Sequence, residues 1–399
     1  MSGPFKRLSV LMATAFIDMV GFAIVFPLLP YYARRLDAAD WMIGWIWAVF
    51  SIAQLAAAPI WGRLSDRFGR KAMIILGLGA SAVAFVVFGL ATAYWMLFLS
   101  RLIQGFGGGT VGVLQAYVAD VTEPKDRARA LGWLSASTNA GVAIGPAIGS
   151  LAFELGPAAP GLIAAGLCLG NILFASRWLP ESRPQREEHV GRERRSVRMM
   201  ITDTVLAPRG DVARLVWIYA VGMLGFMSMT AVLALYLQDA FGITETSIGP
   251  FFVYVGVLGI VMRAIVLGRL VDWLGETKVM RLGAALLALG LFTIPFPGGL
   301  LYLAVVIGLV PIGTACLFPS VTALVTHRAH AHERGQVLGV QQTFGGVARV
   351  IAPIWATAVF QSWGGAVPFY ISGGVVAFVA LLAFRVTPTA APTEATAPP

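Results

Sequence analysis

The stretch GRLSDRFGRK, Gly62 to Lys71, decides how this chain is read. A second stretch, GRLVDWLGETK from Gly268 to Lys278, repeats it. Gly62, Arg63, Leu64, Asp66 and Gly69 match Gly268, Arg269, Leu270, Asp272 and Gly275 at a constant offset of 206 residues. Each copy closes one long apolar run and opens another. A charged turn duplicated half a chain apart between apolar segments predicts two related halves. Leu131-Gly132 with Leu338-Gly339, and Pro146 with Pro353, repeat at an offset of 207.

The 399 residues are 58% hydrophobic and 12% charged, with a mean hydropathy of +0.78. Soluble domains carry about 25% charged residues. The runs reach the ~20 residues that cross hydrocarbon as a helix, not the ~10-residue alternation of barrel strands. The expected fold is therefore all-α and integral to a membrane: twelve transmembrane helices in two pseudo-symmetric six-helix bundles. The spans lie near 7–32, 41–62, 72–92, 95–118, 129–152, 159–178, 213–237, 246–268, 279–297, 300–325, 335–360 and 367–385. The first reads as a membrane helix and not a cleavable leader, because it is long and Pro27 and Pro30 stand where small residues would mark cleavage. The halves cover 1–179 and 213–386. Between them 180–212 reads as a polar cytoplasmic linker, either solvated or forming an amphipathic helix through Val197, Met199, Met200, Ile201 and Val205. Residues 387–399, rich in Pro, Ala and Thr, read as a disordered tail.

The net charge of +9 is orientation rather than affinity for nucleic acid. With the N-terminus in the cytoplasm, 24 of 29 Lys and Arg fall on that side. Arg34 and Arg35 fall outside, and Arg101, Arg263 and Arg349 fall within spans. This positive-inside bias places both termini in the cytoplasm. Cys168 and Cys316 sit in apolar spans and read as packing residues. HRAHAHER, His327 to Arg334, holds three histidines, but His330 and His332 lack a third spaced ligand with a carboxylate or Cys, so it reads as a solvated loop. No phosphate-binding GxxxxGK[ST] loop is present, and no cofactor beyond a proton gradient is expected.

Chemistry inside the membrane falls to few residues. Asp18 lies 11 residues past Arg7, about 16 Å along a helix. A charge there costs roughly 3 kcal/mol and faces a partner or a cavity. That suits a proton carrier, the alternative being a structural Asp bonding a neighbouring helix. Arg349 has no evident acidic mate and suits an anionic group or a backbone carbonyl. Arg263, near a helix end, reads as snorkelling. Gln54, Gln104, Gln115, Asn139, Gln341 and Gln342 lie in spans with Met223, Phe226, Met227, Met229 and Phe318, a set that would make an adaptable lipophilic pocket. Asn139 and Gln341 lead as substrate contacts, with Gln54, Arg349, Met227 and Phe318 behind them. Gly141, Gly145, Pro146 and Gly149 make a kinked small-residue face, read as letting the fifth helix approach the other half.

GRLSDRFGRK resembles the signature loop of the major facilitator superfamily, G-x-x-x-D-R-x-G-R-[KR], at every fixed position: Gly62, Asp66, Arg67, Gly69, Arg70 and Lys71. RLIQG, Arg101 to Gly105, resembles its helix-4 motif, and GVAIGPAIGS, Gly141 to Ser150, the helix-5 motif of exporting antiporters. LPES, Leu179 to Ser182, resembles the end of helix 6. IDMVGFAIVFPLLP, Ile17 to Pro30, and AYVADVT, Ala116 to Thr122, resemble the drug:proton antiporter branch, which includes tetracycline exporters. The chain departs from those pumps at Ala84-Phe85, where they carry an Asp-Tyr pair, which argues against tetracycline as a substrate.

The resemblance implies a proton-coupled exporter of lipophilic small molecules, not an enzyme, set as a monomer in a bacterial inner membrane. Its halves would rock around a cavity lined by helices 1, 4, 7 and 10. Asp18 would carry the proton, with Arg101 beside it as its electrostatic partner. Asp66, Arg70 and Asp120 would form an inner-face charge cluster, with Arg67 flanking it and Asp272 as its weaker counterpart. The alternatives are a metabolite, sugar or lipid transporter on the same fold, or a non-transporting membrane sensor.

Overall fold

The computed structural model describes residues 3–108, 110–123, 126–182, 210–296, 298–329 and 333–386. The linker helix proposed through Val197 to Val205, the tail 387–399, and His330 and His332 lie outside the described residues. All regular elements among those described are helical. Along the chain they are α1 (Arg7–Arg35), α2 (Asp40–Phe68), α3 (Arg70–Gly89), α4 (Tyr94–Val121), α5 (Arg127–Phe153) and α6 (Ala159–Trp178). They continue with α7 (Asp211–Phe241), α8 (Gly249–Leu274), α9 (Glu276–Thr293), α10 (Leu300–Arg328), α11 (Arg334–Trp363) and α12 (Val367–Ala383).

Nine of these are long and apolar enough to cross a membrane. The other three, α5, α9 and α12, stand where the sequence places its fifth, ninth and twelfth spans. Each is weakened as a span by its own residues. α5 opens with Arg127 and Arg129 and carries Ser135, Ser137, Thr138 and Asn139. α9 opens with Glu276, Lys278 and Arg281. α12 has only 17 residues.

Irregularities fall where the sequence dictates them. Pro27 lies in a 3₁₀ turn, Phe26–Leu28, inside α1, and Pro30 stands at the start of the helical segment that follows it. A proline lacks the N–H that the interior ladder requires. α8 contains a π-helical turn, Met262–Val266, around Arg263.

The chain forms two compact units, which are not the two sequence halves. One contains Met1–Val190, Thr230–Ile260 and Pro353–Gly365; the other contains Gly191–Met229, Val261–Ala352 and Ala366–Pro399. In the first, α5 packs along α1 through its glycines. A Cβ on Gly141 would lie 2.5 Å from the Phe16 carbonyl oxygen, and one on Gly149 would lie 2.3 Å from that of Ile24. This corrects the expectation that these glycines face the other half. That contact is made by the opposite face of α5, and there the glycines belong to α8: a Cβ on Gly249 would meet Ser150 Oγ at 2.8 Å, and one on Gly256 would meet Ala143 Cβ at 2.8 Å. In apolar surroundings helices associate by van der Waals packing, so small residues concentrate where backbones approach. The second unit repeats the device between α9 and α10, where Gly283 and Gly313 each leave no room for a Cβ against the facing backbone.

Candidate functional site

The signature turn is built around one arginine and one carboxylate from a distant element. α2 ends at Gly69, whose φ of 98° and ψ of 154° fall in a region open essentially to glycine alone. α3 begins at the next residue without a cap from its own sequence. Glu181 supplies one: the backbone N–H of Arg70 donates to Glu181 Oε1 at 2.7 Å, and that of Lys71 to Oε2 at 3.3 Å. A carboxylate at a helix N-terminus meets unpaired donors and the positive end of the macrodipole. Tyr117, fully buried, donates to the Pro180 carbonyl at 2.8 Å and holds this segment in place.

Arg70 is buried beside that cap and gathers the acids. It pairs with Asp66 at 2.6 Å and with Asp120 at 3.1 Å, and Nη1 donates to Ser65 Oγ at 2.5 Å. Ser182 Oγ donates to Asp120 at 3.3 Å. The structure thus brings Asp66, Arg70 and Asp120 together. Arg67 stays outside the cluster, its guanidinium 5.2 Å from the centre of the Phe68 ring. Gly62 faces open space, so close helix approach does not explain it; only its carbonyl is used, by Ser65 Oγ at 2.8 Å. The second copy is emptier. Gly275 repeats the backbone conformation, with φ 79° and ψ 153°, but faces open space. Asp272 is exposed and makes no ion pair among the described residues, because the residue matching Arg70 is Glu276.

Asp18 lies in the interior of α1, half-buried, and among the described residues it makes no hydrogen bond or ion pair. Cys168 of α6 is close enough to feel its charge. One turn on, Phe22 meets Phe26 at 5.4 Å and Phe50 at 5.6 Å between ring centroids. Arg101 is 1% exposed, with Nε and Nη2 unbonded and its guanidinium 5.4 Å from the centre of the Phe88 ring. The two residues form no ion pair within 4 Å, so the structure does not bring them together as partners. Ala84 and Phe85 are sealed beside α4, with Ser100 Oγ donating to the Ala84 carbonyl at 2.8 Å.

The expected substrate contacts divide. Gln341 is fully buried; its amide donates to Thr322 Oγ1 at 2.9 Å, while its Oε1 is buried without a partner among the described residues. Asn139 donates to the Ser135 carbonyl of its own helix at 2.7 Å while remaining exposed. Gln54 reaches the Gly108 carbonyl at 3.3 Å and so ties α2 to α4. Phe318 does gather an aromatic group, with Tyr219 at 5.2 Å and Phe226 at 6.4 Å. Met227 and Arg349 are half-buried in the same unit. Among the described residues no group of three or more His, Cys, Asp or Glu is placed to hold a metal ion.

At the far end of α1 stands a cluster that charge counting does not reveal. Arg34 holds Asp40 through a fork, Nε to Oδ1 at 2.8 Å and Nη2 to Oδ2 at 2.9 Å. It also holds Asp239 of α7 at 2.6 Å and Gln238 at 3.0 Å. Tyr31 donates to the Ile243 carbonyl at 3.0 Å, and the Trp41 N–H to Gln361 Oε1 at 3.1 Å. A Cβ on Gly44 would lie 2.4 Å from the Pro353 carbonyl oxygen. The sequence counts Arg34 only as an outward charge; its Asp239 partner lies 205 residues away.

A multi-pass helical body with a charged, glycine-hinged turn and a lone carboxylate inside an apolar helix defines a membrane transporter. The chain belongs to the Major Facilitator Superfamily, whose model matches residues 11–353 and 265–399. It is similar to Multidrug resistance protein 1 of Bacillus subtilis, with 29% identity over 89% of this chain and 90% of that protein. It is also similar to the class C tetracycline resistance protein of Escherichia coli, with 28% identity over 95% of this chain and 96% of that one. Among solved structures it resembles a bacterial homolog of the human lysosomal transporter Spinster. The TM-score is 0.79 at 12% identity, over 97% of this chain and 98% of that one, which speaks for the fold.

Proposed function

We propose that this protein is a proton-coupled exporter of lipophilic small molecules, working by alternating access as a monomer, with both termini in the cytoplasm and protons moving inward. The observation that carries the reading is Asp18: a half-buried carboxylate inside α1 with no bonded partner among the described residues. Ionised, it is costly in an apolar helix; neutral, it is not. A site whose charge is tolerated only when matched can exchange a proton for a substrate. The named resistance proteins among the relatives support a small foreign molecule as that substrate. The test is reconstitution in proteoliposomes with an internal pH dye. Addition of a lipophilic substrate should release protons from a preset gradient, and a protein that moves substrate with no proton signal overturns the coupling.

In this reading the Arg70 cluster closes the cytoplasmic side and the Arg34 cluster the outer side. Arg34→Ala should therefore expose the outer contact. The readout is labelling of Ile243→Cys by a membrane-impermeant maleimide; Ile243 is 6% exposed, and native Cys168 and Cys316 are buried. Labelling should speed up roughly twofold to fivefold, the scale of an ion pair whose Asp239 side is half exposed. Unchanged labelling would mean that the fork does not hold this side shut.

A further inference from the structure

Four charged side chains lie in the interiors of the long apolar helices: Asp18, Arg101, Arg263 and Arg349. Three are cations and one is an acid. Arg101 is sealed against Phe88, with 1% of its surface exposed. Arg349 differs. It is only half-buried, and among the described residues it makes no ion pair and no hydrogen bond to a backbone carbonyl.

What surrounds Arg349 in its own unit is a set of neutral donors and rings. Tyr219 of α7 is buried against the stretch of α11 that carries Gln342 and Arg349, and lies within electrostatic reach of the guanidinium. Gln342 and Arg349 are seven residues apart, two turns along one face of α11. Gly345 between them lets the helix close on the phenol: a Cβ there would lie 2.7 Å from Tyr219 Cε1. Phe318 packs edge-on against Tyr219 and Phe226, extending the apolar surface from the polar group.

We infer that Arg349, Tyr219 and Gln342 form a subsite for an acidic group, and that the substrates of this exporter are amphipathic organic acids whose aromatic body lies on Phe318 and Phe226. The inference rests on the export reading above and names its substrate class. A guanidinium presents a planar fork that matches a carboxylate or sulfonate through two parallel N–H···O bonds. Tyr219 and Gln342 add donors beside it. An uncharged lipophile leaves the arginine unmatched in an apolar setting, and a lipophilic cation is repelled by it.

The probes are pyrenebutyrate, its methyl ester and a trimethylammonium analogue with the same ring and chain. Binding to the purified full-length protein is followed by energy transfer from tryptophan, and proton release is followed in proteoliposomes. The wild type should bind the acid roughly tenfold more tightly than the ester or the cation, the scale of one charge-assisted contact. Arg349→Gln should bring the acid-to-ester ratio close to one, Arg349→Lys should keep part of it, and Tyr219→Phe should lower it. Equal binding of acid and ester by the wild type, with proton release by either, overturns the subsite and leaves the export reading standing. Preference for the cation does the same. Failure of all three probes to bind or to move protons overturns the export reading and the subsite together. The wild-type comparison needs no variant to fold.

Discussion

Asp18→Asn should lower substrate-driven proton movement by at least about tenfold while leaving the protein as stable as before, or more so. The asparagine keeps the shape and hydrogen-bonding capacity of the carboxylic acid but cannot take up or release a proton. Because Asp18 makes no hydrogen bond or ion pair among the described residues, removing its charge breaks no such contact there. It removes instead a carboxylate whose placement inside an apolar helix costs roughly 3 kcal/mol when ionised. Thermal unfolding in detergent and proton flux in vesicles are therefore the two measurements. Full flux in the variant rules out Asp18 as the carrier. Lost flux with a melting temperature lowered by several degrees makes the residue structural.

Gly69→Ala should destabilise the protein by roughly 2–5 kcal/mol, and Gly275→Ala by only about 1–3 kcal/mol. Both glycines share one backbone conformation, with φ of 98° and 79°, so the strain common to the two substitutions cancels in the comparison. The difference is Glu181. A Cβ at position 69 would lie 2.4 Å from Glu181 Oε2, whereas at 275 it meets nothing. The carboxylate can swing away, so what is lost is the cap on the N–H groups of Arg70 and Lys71, not a hard overlap. Combining Gly69→Ala with Glu181→Ala should then cost less than the sum of the two single changes, since both remove the same cap. Strict additivity would show that Gly69 is needed for its conformation alone.

Much of this was legible in the sequence, because apolar runs and charged turns are local signals. Asp66, Arg70 and Asp120 converge as their motifs imply. Glu181 was visible as part of LPES, but its role was not: a carboxylate that caps a helix 111 residues away leaves no local trace. The glycines of α5 announced a close approach without saying to what, since a small residue lacks any feature that names its neighbour. Gln341 illustrates the opposite limit. A polar residue in a span can serve a ligand or a facing hydroxyl, and nothing local to Gln341 announces the Thr322 hydroxyl that its amide meets. Arg34 shows the same limit, since the side of the membrane on which a cation lies does not say which acids it holds.

The composition of the first compact unit has a consequence for how the protein is made. Thr230–Ile260 and Pro353–Gly365 belong to it, yet they leave the ribosome long after Val190. At about 5–20 residues per second, roughly 9–35 seconds separate the end of its leading segment from the arrival of Gly365. During that interval Arg34 has Asp40 but not Asp239, and the grooves that receive Gly249 and Pro353 stand unfilled. The nascent N-terminal helices must wait in the bilayer as an unfinished body, and a stall beyond residue 190 would leave that body without the contacts that complete it.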